Sequence, residues 1–221
     1  ATAPSVYATT SWEGRTLNMP RASSARRLTY DVDGHLLGAL YASPLIRWAP
    51  DGKFFAHDIP ELVDVAYTPD RKDIVLLAID GGIWRWHDQR FVRIDTVVGA
   101  TSLAISAGGQ LVVGRGNGVR LPDGTWIDNA DGRLLDIAVS PDGAHIMGAR
   151  TDGTAVVWSA ESGRVLAVLR GHDHRVAQLA LIGADVLVSA GWDGRIQFWD
   201  LTALVRDPDA AVAHAEQTWG L

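Results

Sequence analysis

The chain has 221 residues, 47% of them hydrophobic, which suffices for a single all-β domain with a sizeable core. Its net charge is −6, its only lysines are Lys53 and Lys72, and no basic block occurs, which argues against an electrostatic nucleic-acid binder. It contains no cysteine, which excludes disulfides, thiolate catalysis and cysteine-ligated zinc.

No segment has the pattern of a membrane span or a secretion signal. The longest apolar run covers residues 74–79, which is far too short to cross a bilayer. The first residues lack a basic region followed by an apolar run. We therefore expect no membrane partner and a cytoplasmic location.

From its N-terminus the chain repeats one pattern. Residues 5–19 and 185–199 each read as a strand, a Trp, an acidic residue with Gly and Arg, and a second strand. Between them an Asp-Gly pair precedes a Trp by six residues three times: Asp80-Gly81 before Trp86, Asp152-Gly153 before Trp158, and Asp193-Gly194 before Trp199. Upstream turns at Asp33, Asp70, Gly108 and Asp142 lie 37, 38 and 34 residues apart. A period near 40 with two hairpins per unit predicts the four-stranded antiparallel blades of a β-propeller.

The strand count predicts about six blades in a ring of six or seven that is incomplete within this chain. The third strands of the blades end at six positions: Met19, Trp48, Trp86, Leu121, Trp158 and Trp199. The innermost strands start near five positions: Leu28, Val63, Ser102, Leu135 and Val176. The first blade thus begins at its second strand and the last lacks an outer strand. Because open sheet edges are a liability, we expect an N-terminal segment or a separate cleaved chain to complete the propeller.

The two ends of the chain differ from this pattern. Residues 1–204 are assigned to the propeller and 205–221 to a C-terminal tail. In the tail, Asp207 is a predicted cap of a short helix that starts at Pro208. Near the other end, the span from Met19 to Leu28 is too short for a normal outer strand with its loops.

The residues from 170 to 201 carry a family resemblance. Gly171-His172, Ser189, Trp192-Asp193-Gly194 and Trp199-Asp200 resemble a WD40 repeat. The resemblance implies that one hydrogen-bonded structural set ties the three inner strands together: His172, Ser189, Asp193 and Trp199.

The same residue types also suggest two kinds of chemistry. Ser, His and Asp together invite a hydrolase interpretation, but Ser189 lacks the preceding Gly of a nucleophile elbow. His172 and His174 suggest a metal site, but no third ligand of matching spacing accompanies them. We therefore expect no catalytic residue, no metal and no cofactor.

The leading hypothesis is a non-catalytic protein-interaction scaffold that forms the sensor or regulatory part of a larger protein. The alternative is a propeller-based hydrolase, or the regulatory domain of a fused enzyme whose catalytic part lies outside this chain. Positions at the innermost strand starts include three Arg and no acid, which favours an acidic partner segment over metal or acid chemistry: Arg27, Leu62, Thr101, Arg133 and Arg175. One rim is predicted to bind the partner through six residues: Trp12, Ile79, Arg133, Thr151, Arg175 and Trp192.

Overall fold

The structure is a computed structural model that describes residues 7–8, 15–16, 25–30, 34–40, 45–49, 51, 53–57, 61–87, 90–116, 118–128 and 132–206. The chain divides into two compact units, Ala1–Val98 and Gly99–Leu221. The described residues contain 21 β-strands and one short helix.

The first unit holds one two-stranded sheet and two four-stranded antiparallel sheets. The two-stranded sheet pairs β1 (Tyr7–Ala8) with β2 (Arg15–Thr16). The next sheet consists of β3 (Ala25–Tyr30), β4 (Leu36–Leu40), β5 (Leu45–Trp48) and β6 (Phe54–His57). The third consists of β7 (Leu62–Tyr67), β8 (Ile74–Ala78), β9 (Gly82–His87) and β10 (Arg90–Thr96).

The second unit holds two four-stranded sheets and one three-stranded sheet, all antiparallel. The first sheet consists of β11 (Ala100–Ile105), β12 (Leu111–Arg115), β13 (Gly118–Arg120) and β14 (Trp126–Asp128). The second consists of β15 (Leu134–Val139), β16 (His145–Arg150), β17 (Thr154–Ser159) and β18 (Val165–Arg170). The last consists of β19 (Val176–Ile182), β20 (Val186–Gly191) and β21 (Ile196–Asp200).

This topology confirms the predicted all-β class. Strands lie in chain order in every sheet, as in the blades of a propeller. The described residues include the predicted five innermost strands and six third strands, and in them the first sheet has two strands and the last has three. Among the described residues, the first and last sheets therefore have fewer strands than the four-stranded sheets between them.

The repeated Asp-Gly pairs form tight turns between strands. The carboxylate of Asp152 accepts a hydrogen bond from the N–H of Thr154 at 2.9 Å, and Asp193 does the same for Arg195 at 3.0 Å. In the first of these turns, Gly153 has a φ of +89°, and a Cβ there would lie 2.8 Å from the carbonyl oxygen of His172. A glycine is therefore required both by the backbone conformation and by the close approach of the next loop.

Each innermost strand carries a β-bulge after its first residue, which the sequence does not signal. The register shifts in all five occur between these pairs: Ala25/Arg27, Leu62/Asp64, Ala100/Ser102, Leu134/Asp136 and Val176/Gln178. A bulge bends its strand and increases the local twist. It also changes which side chains after the strand start face the neighbouring sheet.

Within each unit, hydrophobic core lies between consecutive sheets. In the second unit, Val119 and Ile127 of one sheet pack against Ile137, Ile146 and Trp158 of the next. All six residues of β16 are buried, because its sheet has a neighbour on each face. In the first unit, Leu37 and Leu45 pack in the same way against the following sheet. Continuous apolar runs, rather than alternation, are the expected pattern for such strands.

A short helix, α1 (Thr202–Arg206), follows the last strand. It begins next to the carboxylate of Asp200, which accepts a hydrogen bond from the N–H of Thr202 at 2.8 Å. The helix predicted to start at Pro208 lies outside the described residues, and so do residues 17–24, where the short span after Met19 falls. In the described part of the chain, no helix has the length and apolar character needed to cross a membrane.

Candidate partner-binding site

The turn between β20 and β21 places Trp192 at one end of the last sheet. The N–H of Gly191 donates to the carbonyl of Arg195 at 3.0 Å, and that of Gly194 donates to Gly191 at 3.2 Å. The N–H of Trp192 itself donates to the carbonyl of Arg175 at 3.0 Å. These bonds hold the turn against the loop that leads into β19.

The side chain of Trp192 is exposed and contacts two side chains of the neighbouring loop. The residue is 65% exposed. The guanidinium carbon of Arg175 lies 4.3 Å from the centroid of its ring, and the ring of His174 stacks on it at 6.1 Å with 20° between the planes. A cation over the face of an indole is attracted by the ring quadrupole. The exposed indole therefore has its orientation set by its neighbours in the same chain.

An ion pair flanks this cluster. Arg195 contacts Asp173 at 2.7 Å, with both side chains mostly exposed. The N–H of Asp173 donates to the carboxylate of Asp193 at 3.0 Å, so the pair is anchored to the turn. Asp173 pairs with Arg195, and Asp193 is hydrogen-bonded beneath the turn, so Arg175 is the cation that contacts the Trp192 ring.

The other predicted rim residues form equivalent pairs in other sheets. Arg133 and Thr151 are joined twice: the N–H of Arg133 donates to the Thr151 hydroxyl at 3.1 Å, and the N–H of Thr151 donates to the Arg133 carbonyl at 2.9 Å. In the first unit, the N–H of Ile79 donates to the carbonyl of Glu61 at 2.8 Å. Trp12 lies outside the described residues.

Beneath the Trp192 turn, four polar side chains form one chain of hydrogen bonds. His172 Nδ1 lies 3.0 Å from both carboxylate oxygens of Asp193, and its Nε2 lies 2.8 Å from Ser189 Oγ. Trp199 Nε1 donates to Ser189 Oγ at 2.8 Å. These bonds connect the second and third strands of the last sheet to the loop before it.

The directions of these bonds are mutually consistent. A proton on Nδ1 of His172 points to Asp193, so Nε2 accepts the hydroxyl proton of Ser189 while Ser189 Oγ accepts from Trp199. Ser189 is 0% exposed and the His172 side chain is 1% exposed. A serine nucleophile has to reach a substrate, and this hydroxyl has no surface at which to do so.

The pKa of Asp193 reflects its partners. Burial by itself would raise this pKa, but the N–H of Arg195, the ring of His172 and the N–H of Asp173 outweigh it and lower the pKa to about 2. A carboxylate that accepts several hydrogen bonds is stabilised in its charged form. Asp193 is therefore ionised throughout the neutral range.

Two of the earlier copies keep the Trp but have a glycine in place of the serine. Gly148 occupies the place of Ser189 in the sheet before, and Gly38 occupies it in the first four-stranded sheet. A Cβ at either glycine would lie 2.7 Å from the ring of the local Trp, Trp158 or Trp48. The indole nitrogens of these two Trp are buried and have no hydrogen-bond partner among the described residues. In these copies the indole packs over a bare backbone instead of joining a polar network.

Two acidic residues escaped the sequence analysis. Asp64 and Asp136 lie not at the strand starts but two residues inside β7 and β15, and they are 4% and 3% exposed. The carboxylate of Asp136 accepts a hydrogen bond from the N–H of Leu179 in the next sheet at 2.9 Å. The bulge after each strand start explains the omission, because it shifts the inward-facing position by one residue.

His174 was also missed as part of the partner-binding surface. Its proximity to Arg175 in the sequence is visible, but its stacking on Trp192 depends on the turn that brings two loops together. Among the described residues, no group of three His, Cys, Asp or Glu side chains is arranged to hold a metal ion.

Comparison with known proteins finds sequence similarity to one family of repeats and to two curated proteins. The family described as "WD domain, G-beta repeat" matches residues 122–159 and 163–200. The chain is 35% identical to autophagy-related protein 16 of Arabidopsis thaliana over 72 residues, which are 32% of this chain and 14% of that protein. It is 30% identical to WD40 repeat protein poxJ of Penicillium oxalicum over 91 residues, which are 39% of this chain and 25% of that protein. The matches thus span a quarter or less of these curated relatives.

Proposed function

We propose that this chain, whose residues 122–159 and 163–200 are two repeats of the WD40 family, is a non-catalytic protein-interaction scaffold that forms the sensor or regulatory part of a larger protein. Proteins of this family are generally non-catalytic and bind other proteins.

The observation that carries the proposal is the exposed indole of Trp192, with its cation and imidazole neighbours. Its ring is largely exposed and contacts Arg175 and His174. Trp and Arg are the residue types most often found as binding hot spots, and a side chain that is already ordered loses little entropy on binding. Isolated exposed apolar residues are common on protein surfaces and need no explanation. An exposed Trp with a cation against its ring has the features of a residue that binds a partner.

The charge beside Trp192 favours an acidic partner segment. Arg175 stands over the ring, and Arg133 is exposed on the equivalent loop of the preceding sheet. Charges around an anchor steer association and select partners of the opposite sign. A segment with an apolar side chain next to Asp or Glu fits both features.

The experiment that tests this proposal is partner capture by the full-length protein with matched variants. Trp192→Ala and Arg175→Ala should each remove the captured partner, as identified by quantitative mass spectrometry, without lowering the melting temperature. Trp126→Ala is the matched control, since Arg115 lies 4.1 Å from the Trp126 ring in a different sheet of the second unit, and neither residue is among the six predicted rim residues. Equal capture by Trp192→Ala and wild type would place the binding surface elsewhere.

We also propose that an outer strand from an N-terminal segment or a separate cleaved chain pairs with β21. Among the described residues β21 pairs with β20 alone, and its Ile196 and Phe198 are 64% and 67% exposed. An apolar strand edge favours the addition of another strand. In hydrogen exchange of the full-length protein, residues 196–200 should be as protected as β17; rapid exchange of these amides would contradict the proposal.

The set of Ser189, His172 and Asp193 is proposed to be structural rather than hydrolytic. Its support is the burial of the serine hydroxyl and the use of its oxygen as an acceptor for Trp199. A hydrolase would lose its activity on Ser189→Ala while keeping its stability. The structural role predicts the opposite, a loss of stability.

A further inference from the structure

A cleft lies at the other end of the sheets in the second unit. It has a volume of about 340 Å³ and lies between the sheet β11–β14 and the sheet β15–β18. Its walls are the turns that join first to second and third to fourth strands. In antiparallel sheets these turns lie at the end opposite the β20–β21 type of turn that carries Trp192. The cleft is thus a separate surface from the proposed docking site.

The walls of the cleft are held by backbone hydrogen bonds. Ser106 N–H donates to the carbonyl of Gln110 at 3.0 Å in one wall, and Ser140 N–H donates to His145 at 2.9 Å in the other. The N–H of Ala160 donates to the carbonyl of Ala144 at 2.8 Å and joins two turns of the same sheet. The shape of the cleft is therefore set before a ligand enters, which lowers the entropic cost of binding.

The lining combines an apolar floor with an acidic rim. Val112, Leu121 and Ile146 are among the floor residues, and they belong to or pack against the core between the two sheets. The rim carries three exposed acidic side chains: Asp123, Asp142 and Glu161. The lining includes no Lys, Arg or His, so no lining residue neutralises the three carboxylates.

The carboxylates on this rim are charged and accessible to a ligand. The N–H of Thr125 lowers the pKa of Asp123, and the Ser140 hydroxyl, at 2.5 Å, lowers the pKa of Asp142. Both hydrogen bonds to Asp142 use its Oδ1. Among the described residues, its Oδ2 and the carboxylate of Glu161 make no hydrogen bond, so they are available to a cation.

We propose that this cleft docks a protein segment in which a Lys or Arg adjoins an aliphatic side chain. The aliphatic side chain and the stem of the basic residue cover the apolar floor, and the cationic head pairs with the rim carboxylates. The volume falls within the range of sites that hold drug-sized ligands, roughly 300–1,000 Å³. Charge complementarity excludes phosphate-bearing ligands and a segment of the acidic kind proposed for the Trp192 surface. The full-length protein then has two docking surfaces of opposite charge preference.

The test is selection of a phage-displayed library of random hexapeptides on the full-length protein. The library is first depleted on the Ala144→Trp variant, whose new side chain fills the cleft while the backbone bonds of residue 144 are kept. The peptides that remain should be enriched in Lys or Arg next to Leu, Ile or Val. Recovery of no peptides, or of peptides without basic residues, overturns the proposal.

The affinity of a selected peptide then localises the site. Glu161→Arg should weaken binding about tenfold or more, because it reverses one rim charge. Asp185→Arg is the matched control, since it makes the same charge change at the first turn of the last sheet, outside the cleft lining. A loss with Asp185→Arg as large as with Glu161→Arg indicates general electrostatic attraction and also overturns the proposal.

Binding of the peptide to the cleft is expected to be independent of the Trp192 surface. Trp192→Ala should leave the affinity of the peptide unchanged, while it removes the partner of the proposed docking site. Melting temperatures of all variants are measured in parallel, so that a variant which fails to fold is recognised and Glu161→Arg stands in for Ala144→Trp in the depletion step.

Discussion

Ser189 is the residue that links the hydrogen-bonded side chains in the interior of the last sheet. Its oxygen accepts a hydrogen bond from Trp199, and its hydroxyl donates one to His172 Nε2. No part of Ser189 is exposed. A buried polar group that loses its partner has a full desolvation cost, so removing one hydroxyl affects two other side chains. Burial and connectivity together predict how single substitutions act.

Ser189→Ala should lower the free energy of unfolding by about 2 kcal/mol, because it leaves the Trp199 N–H and one nitrogen of His172 unpaired in the interior. Chemical denaturation measures the change. Ser162→Ala, at an exposed turn serine, is the control and should stay within about 0.5 kcal/mol of wild type. Adding Trp199→Phe removes the indole N–H that Ser189→Ala leaves unpaired. The double variant should therefore lose less free energy of unfolding than the two single variants lose in sum. Additive losses would show that the two side chains are not coupled.

Asp193 makes the free energy of unfolding depend on pH in the acidic range. Its pKa is about 2 in the folded protein against a reference value of 3.8, so folding favours the ionised form. The stabilisation is fully present above the unfolded value and is lost as the pH falls through the folded value. The melting temperature of wild type should therefore fall between about pH 5 and pH 2 more steeply than that of Asp193→Asn. Parallel pH profiles for the two proteins would contradict the assigned hydrogen bonds.

At the scale of strands and turns, the Asp-Gly spacing before Trp86, Trp158 and Trp199 was enough to predict three of the third strands. It works because the Asp carboxylate and the glycine conformation define the turn locally, as at Asp152 and Gly153. The bulges and the hydrogen bond from the Leu179 N–H to the Asp136 carboxylate could not be predicted in this way. The bond joins residues 43 positions apart, and the local sequence carries no signal for such a contact.

The glycine that takes the place of the serine in two earlier copies has a steric reason. A Cβ at Gly148 would lie 2.6 Å from a methyl of Leu134 and 2.7 Å from the Trp158 ring. In the sequence, Gly148 is visible only as the absence of the serine. In the structure, the Trp158 ring occupies the space that a side chain at this position would need. The copies thus reach the same packing of Trp on the second strand by two different means.

Gly148→Ala should destabilise the protein by roughly 1–3 kcal/mol through overpacking, although Ala is otherwise favoured over Gly within a strand. Thermal or denaturant unfolding measures the effect. Gly108→Ala is the control, because its added Cβ would lie 3.7 Å from its nearest neighbour, the Ser106 hydroxyl. A neutral Gly148→Ala would mean that Trp158 can move away from the strand.

At the scale of the whole molecule, the second unit presents two chemically different ends. One end carries Trp192 with Arg175, and the other carries the cleft rimmed by Asp123, Asp142 and Glu161. Rigid sheets separate two sets of loops whose side chains are free to differ. The repeat pattern therefore predicted the sheets well, while the binding surfaces depend on side chains that the pattern leaves unconstrained, such as His174.

The central claim is that a protein partner docks on the Trp192 surface. Hydrogen–deuterium exchange of the full-length protein, with and without its captured partner, tests it most directly. The account predicts that partner-induced protection is concentrated at residues 173–175 and 191–195, and that Trp192→Ala abolishes it while Trp126→Ala does not. Protection that leaves residues 191–195 unchanged would contradict the account.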